Sequence, residues 1–316
     1  MADLTKLTKH YYGKGLIGLI LVVLAVLPLV GSAYTVILVT SIIMYVIMTV
    51  AWALFSGTTG YLSLATAAFF GVGIYTSAVI GRDLPFAVVI LVGGAVCFVL
   101  ALLVGAITLR LRGVYFAIFT LGLVELIKNV LLWYEIKFTG TRGRFVIVVD
   151  NETIYWAMLA VFVVLLIVVL LIRRSRWGLA LQSIGEYEEA ASHLGINTTL
   201  LKTVIFAVSS FFIGTAGAII ATRWTYIDPY IAFNYLLSFL PVLMAIFGGM
   251  ANWYGPIIGA AIFAYLEELL LTRFPYHYMI IFGVMLLVAI MYLPAGITGL
   301  IRSGWKRLTG GKRAPA

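Results

Sequence analysis

Charged residues are scarce in this sequence, and their scarcity indicates the class of protein. Only 10% of the 316 residues are Asp, Glu, Lys or Arg, whereas 63% are hydrophobic. Soluble domains carry about 25% charged and about 45–50% apolar residues, so an ordinary soluble protein is excluded. Intrinsic disorder is excluded because it requires low hydrophobicity, and an outer-membrane barrel because it needs a polar residue at every second position. The composition therefore predicts an all-α, polytopic bundle of membrane helices.

Cysteine and histidine are also few. Cys97 is the single cysteine and lies in an apolar run, so the chain cannot form an internal disulfide. The three histidines, His10, His193 and His277, lack the spacing of metal ligands. The chain also lacks the Gly-x4-Gly-Lys-Ser/Thr motif that cradles the phosphates of ATP. We therefore expect a conduit and not an enzyme, without a catalytic residue, metal site or cofactor of its own.

Apolar windows predict about ten membrane-spanning helices within a single transmembrane domain, residues 1–316. A spanning helix needs about 20 mainly apolar residues. The predicted spans are 15–32, 34–55, 61–80, 85–109, 114–134, 154–172, 201–222, 234–250, 255–272 and 277–300. The first window resembles a signal peptide, but further spans follow at once, which favours an uncleaved first span.

The basic residues give the predicted bundle an orientation. With ten spans, 14 of the 21 lysines and arginines fall on one side and 6 on the other. Basic residues resist translocation, so the richer side is the cytoplasmic one, and both termini lie there. The net charge of +9 therefore reflects the lipid bilayer as a partner and does not indicate nucleic acid.

The longest segment on the predicted inner side is the 173–200 loop. Its pattern predicts two short amphipathic helices that end at Gly185 and Gly195, with Glu186 in the first turn of the second helix. Glu188 and Glu189 are placed in that same turn. On spacing alone, such a loop is either a solvated connector or an element that inserts into a groove on a cytoplasmic partner.

Several motifs resemble those of the LivM-type permeases of branched-chain amino-acid ABC importers. Glu189-Ala190-Ala191, followed by Gly195, resembles the loop by which such permeases couple to their ATPases. The other matching blocks, which run in family order, are 60–64, 67–71, 109–118, 178–181, 247–250, 253–260 and 293–300. Two positions depart from the family pattern: Ala65-Thr66 replaces Gly-His, and the 135–153 loop lacks Gly-Gly-Thr-Gly.

The resemblance implies a permease subunit of an ATP-driven importer in a bacterial-type inner membrane. It implies a heterodimer with a second permease, two ABC ATPase subunits that hold ATP and Mg, and an extracytoplasmic solute-binding protein. The implied solute is a branched-chain or other amino acid, although related systems carry urea, amides or aromatic acids. The residues implied to couple this chain to the ATPases are Glu186, Glu188, Glu189, Ala190, Ala191 and Gly195.

Polar residues within apolar spans are the candidates for a solute pathway, because hydrocarbon excludes them unless they face protein or water. The candidates are Thr58, Thr59, Ser63, Thr66, Glu125, Lys128, Asn129, Asn234 and Ser238. The segment 56–66 predicts an interrupted helix that lines a cavity or, alternatively, close packing of small residues. Glu125 and Lys128 share a helix face, which predicts an ion pair. That pair is either a structural ion pair at the contact with the partner subunit or a site of solute contact.

One rival class stays open at this point. A stand-alone ion-coupled secondary transporter has a similar composition, and it typically contains inverted repeats with matching broken helices. Here the only echo of such a repeat lies between residues 57–80 and 237–260, and it is faint.

Overall fold

The computed structural model describes residues 20–277 apart from 112 and 251, and further along the chain 280, 281, 283, 284, 287 and 296–299. Within these residues the fold is helical. The helices are α1 (Ile20–Val30), α2 (Ala33–Thr59), α3 (Thr66–Ile80), α4 (Phe86–Thr108), α5 (Val114–Tyr134), α6 (Asn151–Arg174), α7 (Arg176–Glu186), α8 (Glu188–His193), α9 (Thr198–Ala221), α10 (Pro229–Ala232), α11 (Leu236–Gly248) and α12 (Gly255–Arg273). A π-helical segment, Glu135–Thr139, continues α5.

Seven segments among the described residues are long and apolar enough to cross a membrane, and α1 and α3 are shorter apolar helices. The prediction of a helical membrane bundle is thereby confirmed. The predicted span 61–80 was too long, because helix α3 begins only at Thr66. The predicted tenth span, 277–300, lies mostly outside the described residues. A count of ten spans therefore stays a prediction.

Side-chain caps explain where several helices begin. Ser32, Asp150 and Asn197 accept a hydrogen bond from the backbone N–H three residues ahead, at the starts of α2, α6 and α9. Pro256 lies in the first turn of α12, a position that proline suits because its backbone N–H is not needed there. Gly249 ends α11 with a φ of +93°, a backbone conformation that favours glycine.

Helix α9 is the central element and packs against α2, α3, α4 and α6. Its contacts with α3 and α4 are close because small residues meet there. A Cβ added to Gly73 of α3 would overlap the carbonyl oxygen of Gly214, and one added to Gly217 would overlap that of Phe70. Membrane helices associate through such small residues, since lipid offers no hydrophobic drive between them. The α3–α4–α9 packing therefore forms the tight part of the bundle.

The bundle has two ends that carry different structures. At the strand end, β1 (Arg144–Phe145) and β2 (Tyr226–Ile227) pair in antiparallel register. At the loop end, α7 packs against α2. Helix α6 joins the two ends with 24 residues, a length of about 36 Å. The 173–200 loop and the strand pair therefore lie at opposite ends of the molecule.

Candidate functional site

The helix break predicted between residues 56 and 66 is present. Helix α2 ends at Thr59, and Gly60 follows in the left-handed region with a φ of +74°. Residues 60–65 are not helical, and Ser63, Leu64 and Ala65 are buried. Backbone that leaves a helix within a membrane protein must find other hydrogen-bond partners, so the side chains around the break show what it is built to do.

Side chains from three helices satisfy the backbone of this break. The Trp52 indole of α2 donates to the Ser63 carbonyl at 2.7 Å. Thr120 Oγ1 of α5 accepts from the Leu64 N–H at 2.9 Å, and Ser238 Oγ of α11 accepts from the Ala67 N–H at 3.1 Å. The break is therefore fixed by its neighbours, and movement of α5 or α11 would strain it.

Most of the hydroxyl residues named as pathway candidates are used locally. Thr58 and Thr59 donate to carbonyl oxygens of their own helix at 2.6 and 2.8 Å. Ser63 Oγ accepts from the Ala65 N–H at 3.3 Å, and Thr66 is buried. Ser238 is fully buried against the break. The role of these residues in a solute pathway stays a prediction.

The second group of pathway candidates forms the predicted ion pair. Lys128 Nζ lies 2.6 Å from Glu125 Oε1, and Asn129 donates to the other carboxylate oxygen at 3.3 Å. The Lys128 side chain is 7% exposed, and its ammonium lies about 5 Å from the ring centroids of Tyr230 and Tyr235. Glu125 is 42% exposed on the outer face of α5. The Lys128 ammonium therefore faces the interior of the bundle, whereas the Glu125 carboxylate is partly exposed on its outside.

The 173–200 loop contains the two predicted helices, but the sequence misplaced the break between them. The break lies at Tyr187, whose backbone is extended, and not at Gly185. Glu186 is the last residue of α7, so its predicted place in the first turn of α8 was wrong. The physical reason is that Gly185 serves close packing: a Cβ there would overlap the Thr58 carbonyl oxygen. Gly195 is left-handed, with a φ of +83°, as predicted.

The loop presents an apolar outer face. Leu181, Ile184 and Ala191 are buried against the bundle. The large apolar side chains that remain exposed, called the loop surface below, are Trp177, Leu179, Tyr187 and Leu194. Glu186, Glu189 and Ala190 are exposed beside them. Exposed apolar side chains with carboxylates near them in the chain are typical of an interaction site.

Glu188 differs from Glu186 and Glu189, because its carboxylate points into the bundle. Its carboxylate accepts from Lys202 Nζ at 2.6 Å and from the Tyr61 hydroxyl at 2.5 Å. Lys202 lies in α9 with only 1% of its side chain exposed, and it also donates to the Leu109 carbonyl at 3.3 Å. Lys202, Glu188 and Tyr61, called the Lys202 cluster below, thus join the 173–200 loop to the helix break.

A cavity of about 390 Å³ lies between α2, α9, α11 and α12. It extends from Trp224 and Asn234 at the strand end to Met44 and Phe70 inside the bundle. Arg223 and Glu267 also line it, together with Tyr45. Of the nine pathway candidates, only Asn234 lies at this cavity.

No group of three or more metal-ligating side chains occurs among the residues that the structure describes. Cys97 is buried and donates to the Phe69 carbonyl at 3.2 Å, so it is a packing residue.

Comparison with known proteins places this architecture in a family. Residues 34–290 match the family model described as "Branched-chain amino acid transport system / permease component". The branched-chain amino acid permease LivM of Salmonella typhimurium is 26% identical over 92% of this chain and 76% of its own length. LivH of Escherichia coli K12 is 27% identical over 47% of each chain, and the ribose import permease RbsC of Haemophilus influenzae is 30% identical over 36% and 37%. No solved structure matches. The chain belongs to the permease-component family of branched-chain amino acid transport systems.

Proposed function

We propose that this chain is the transmembrane permease subunit of an ABC importer that carries branched-chain or other amino acids. In this proposal it pairs with a second permease, as the similarity to both LivM and LivH suggests. Two ATPase subunits bind ATP and Mg, and an extracytoplasmic binding protein delivers the solute. The complex lies in a bacterial-type inner membrane, with this chain forming one domain of about ten spans and both termini cytoplasmic.

The loop surface is the observation that carries the proposal. Trp177, Leu179, Tyr187 and Leu194 expose large apolar side chains on two short helices at one end of the bundle. Short amphipathic helices of this kind fit a groove on another protein. Glu186, Glu189, Ala190 and Gly195 of the same loop are exposed and accessible to a partner. These residues are proposed to contact an ATPase subunit, while Ala191 packs the loop onto the bundle.

The Lys202 cluster supplies a route from the ATPases to the membrane helices. When ATP closes the ATPase pair, the 173–200 loop is pushed, and Glu188 moves with it. Because Glu188 bonds Lys202 of α9 and Tyr61 of the helix break, this motion reaches both elements at once. The break is itself bonded to α5 and α11, so those helices follow and the bundle alternates between outward-open and inward-open states.

Reconstitution tests this function. We expect proteoliposomes with both permeases, the ATPases and the binding protein to import leucine only when ATP is supplied, and import to fall to background when the ATPases are omitted. A complex with hydrolysis-deficient ATPases is the matched control. Transport by this chain alone, driven by a proton or sodium gradient, would instead show a secondary transporter. Uptake of urea, amides or aromatic acids in place of leucine would correct the solute.

A further inference from the structure

The cavity at the strand end combines opposite charges with an apolar wall. Its volume of about 390 Å³ falls within the range of small-molecule sites, about 300–1,000 Å³. The apolar side chains along it include Leu38, Ile42, Ile220, Leu237, Leu240 and Leu271. A mainly apolar site with a few polar groups is typical of ligand binding. In this cavity the charged residues indicate which groups a ligand would carry.

Arg223 is the cationic group of the cavity. One guanidinium nitrogen donates to Ser41 Oγ of α2 at 3.1 Å, which fixes the side chain in the wall. Arg223 forms no ion pair with any carboxylate that the structure describes. A guanidinium carries five N–H donors in a planar fork that matches a carboxylate. Its remaining donors are therefore suited to an anionic ligand group.

Glu267 and Glu268 are the acidic residues of the cavity, and Glu267 is the one with an unsatisfied oxygen. It bonds Tyr45, but its buried Oε2 atom has no hydrogen-bond partner among the residues described. A buried carboxylate oxygen without a donor is costly, so a ligand that brings N–H donors would be favoured there. The neighbouring Glu268, in contrast, accepts from Tyr34 at 3.2 Å.

We propose that this cavity binds a zwitterionic α-amino acid with an aliphatic side chain. Arg223 binds the α-carboxylate, Glu267 binds the α-ammonium group, and the apolar wall holds the side chain. The inference rests on the proposed function, because it gives the imported solute a site within this chain. A molecule with only one of the two charges leaves either Arg223 or Glu267 without its counterpart, so the pair selects for the zwitterion.

Photolabelling of the intact complex tests the site. The complex of both permeases and ATPases is placed in lipid nanodiscs and irradiated with a leucine analogue that carries a diazirine in its side chain. We expect labelled peptides from α2, α9, α11 or α12 around the cavity. Excess leucine should reduce this labelling at least about tenfold, whereas leucinamide and N-acetylleucine should not, since each lacks one charge.

Variants give the matched comparison. Arg223→Gln and Glu267→Gln should each reduce labelling at least about tenfold, the effect of losing a hydrogen bond to a charged group. Arg82→Gln and Glu152→Gln remove exposed charges at the strand end and should leave it unchanged. Leu237→Trp fills the cavity without altering charge and should also reduce labelling. If a charge variant fails to assemble, the labelling of Leu237→Trp tests the cavity site in its place.

Two outcomes separate this inference from the proposed function. Undiminished labelling in Arg223→Gln, Glu267→Gln and Leu237→Trp, or label confined to other parts of the chain, overturns the cavity site even when ATP-driven leucine import is intact. Absence of any ATP-driven amino acid import by the unaltered complex overturns the proposed function itself.

Discussion

Replacing Lys202 with Met is expected to abolish ATP-driven uptake and to lower the free energy of unfolding by about 3–5 kcal/mol. Lys202 is almost fully buried, and its ammonium holds the Glu188 carboxylate at 2.6 Å. Removal of one partner leaves the other charge without compensation in a poorly solvated place. The Leu109 carbonyl also loses a donor. The 173–200 loop then loses this bond to α9.

A double variant separates stability from coupling. In Lys202→Met with Glu188→Met, no charge is left uncompensated, and replacing a buried ion pair by apolar side chains is often neutral for stability. We therefore expect the melting temperature to return toward that of the unaltered complex. If the Lys202 cluster transmits motion, the double variant still hydrolyses ATP without moving solute. Restoration of uptake together with stability would show that the cluster is only structural.

The control is an ion pair at the strand end. Arg142 lies 3.0 Å from Asp228, but its side chain is 49% exposed. Solvent screens this half-exposed cation, whereas Lys202 is only 1% exposed, so Arg142→Met should change the melting temperature and uptake much less than Lys202→Met. The measurements are thermal unfolding of the purified complex and leucine imported per ATP hydrolysed. An equal loss in Arg142→Met would contradict a special role for Lys202.

Replacing Gly73 with Val is expected to prevent assembly of the folded bundle. A Cβ at this position would overlap the Gly214 carbonyl oxygen, so α3 and α9 would have to separate. Overpacking a core commonly costs about 1–3 kcal/mol, and a clash with rigid backbone lies at or above the upper end of that range. Since α9 is the central helix, we expect almost complete loss of the monodisperse complex in size-exclusion chromatography.

Gly122→Val is the matched control for this substitution. Gly122 lies on the exposed face of α5, and a Cβ there meets nothing within 4 Å. Valine is also a better helix former than glycine, so this variant should assemble normally. Normal assembly of Gly73→Val would show that the α3–α9 contact is looser than described.

The sequence predicted the parts of the structure that depend on local chemistry. Apolar run lengths located most of the spanning helices, and the clustered glycines and hydroxyls between Ser56 and Thr66 located the helix break. The three-residue spacing of Glu125 and Lys128 predicted their ion pair. Each of these features is set by neighbours along the chain, which a pattern records directly.

Other features depend on contacts between distant segments. The sequence pattern predicts a helix end at Gly185. In the structure this position has no room for a side chain, because the Thr58 carbonyl of α2 lies close to it. Glu188 reads as a surface carboxylate, and only the folded bundle places Lys202 and Tyr61 beside it. The sequence does place Lys202 near the start of an apolar helix. A lysine at that position is also typical of a helix end at the cytoplasmic membrane surface, so it did not indicate a buried ion pair.

The sequence could not predict the cavity either, because the residues that line it come from distant segments of the chain. Arg223 follows α9 and counts as a basic residue of a loop, while Glu267 lies near the end of α12 and suggests a rim. Nothing in their spacing of 44 positions indicates that they line one space. The folded bundle brings them to one cavity through α2, where Ser41 bonds Arg223 and Tyr45 bonds Glu267.

Site-directed cross-linking is the most direct test of the claim that the loop surface meets the ATPases. Leu194 and Phe145 are 79% and 66% exposed at opposite ends of the bundle, and the native Cys97 is buried. With a thiol-to-lysine reagent, Leu194→Cys should cross-link to an ATPase subunit of the assembled complex, and Phe145→Cys should not. Cross-links from Phe145→Cys to the ATPase, with none from Leu194→Cys, would contradict the account.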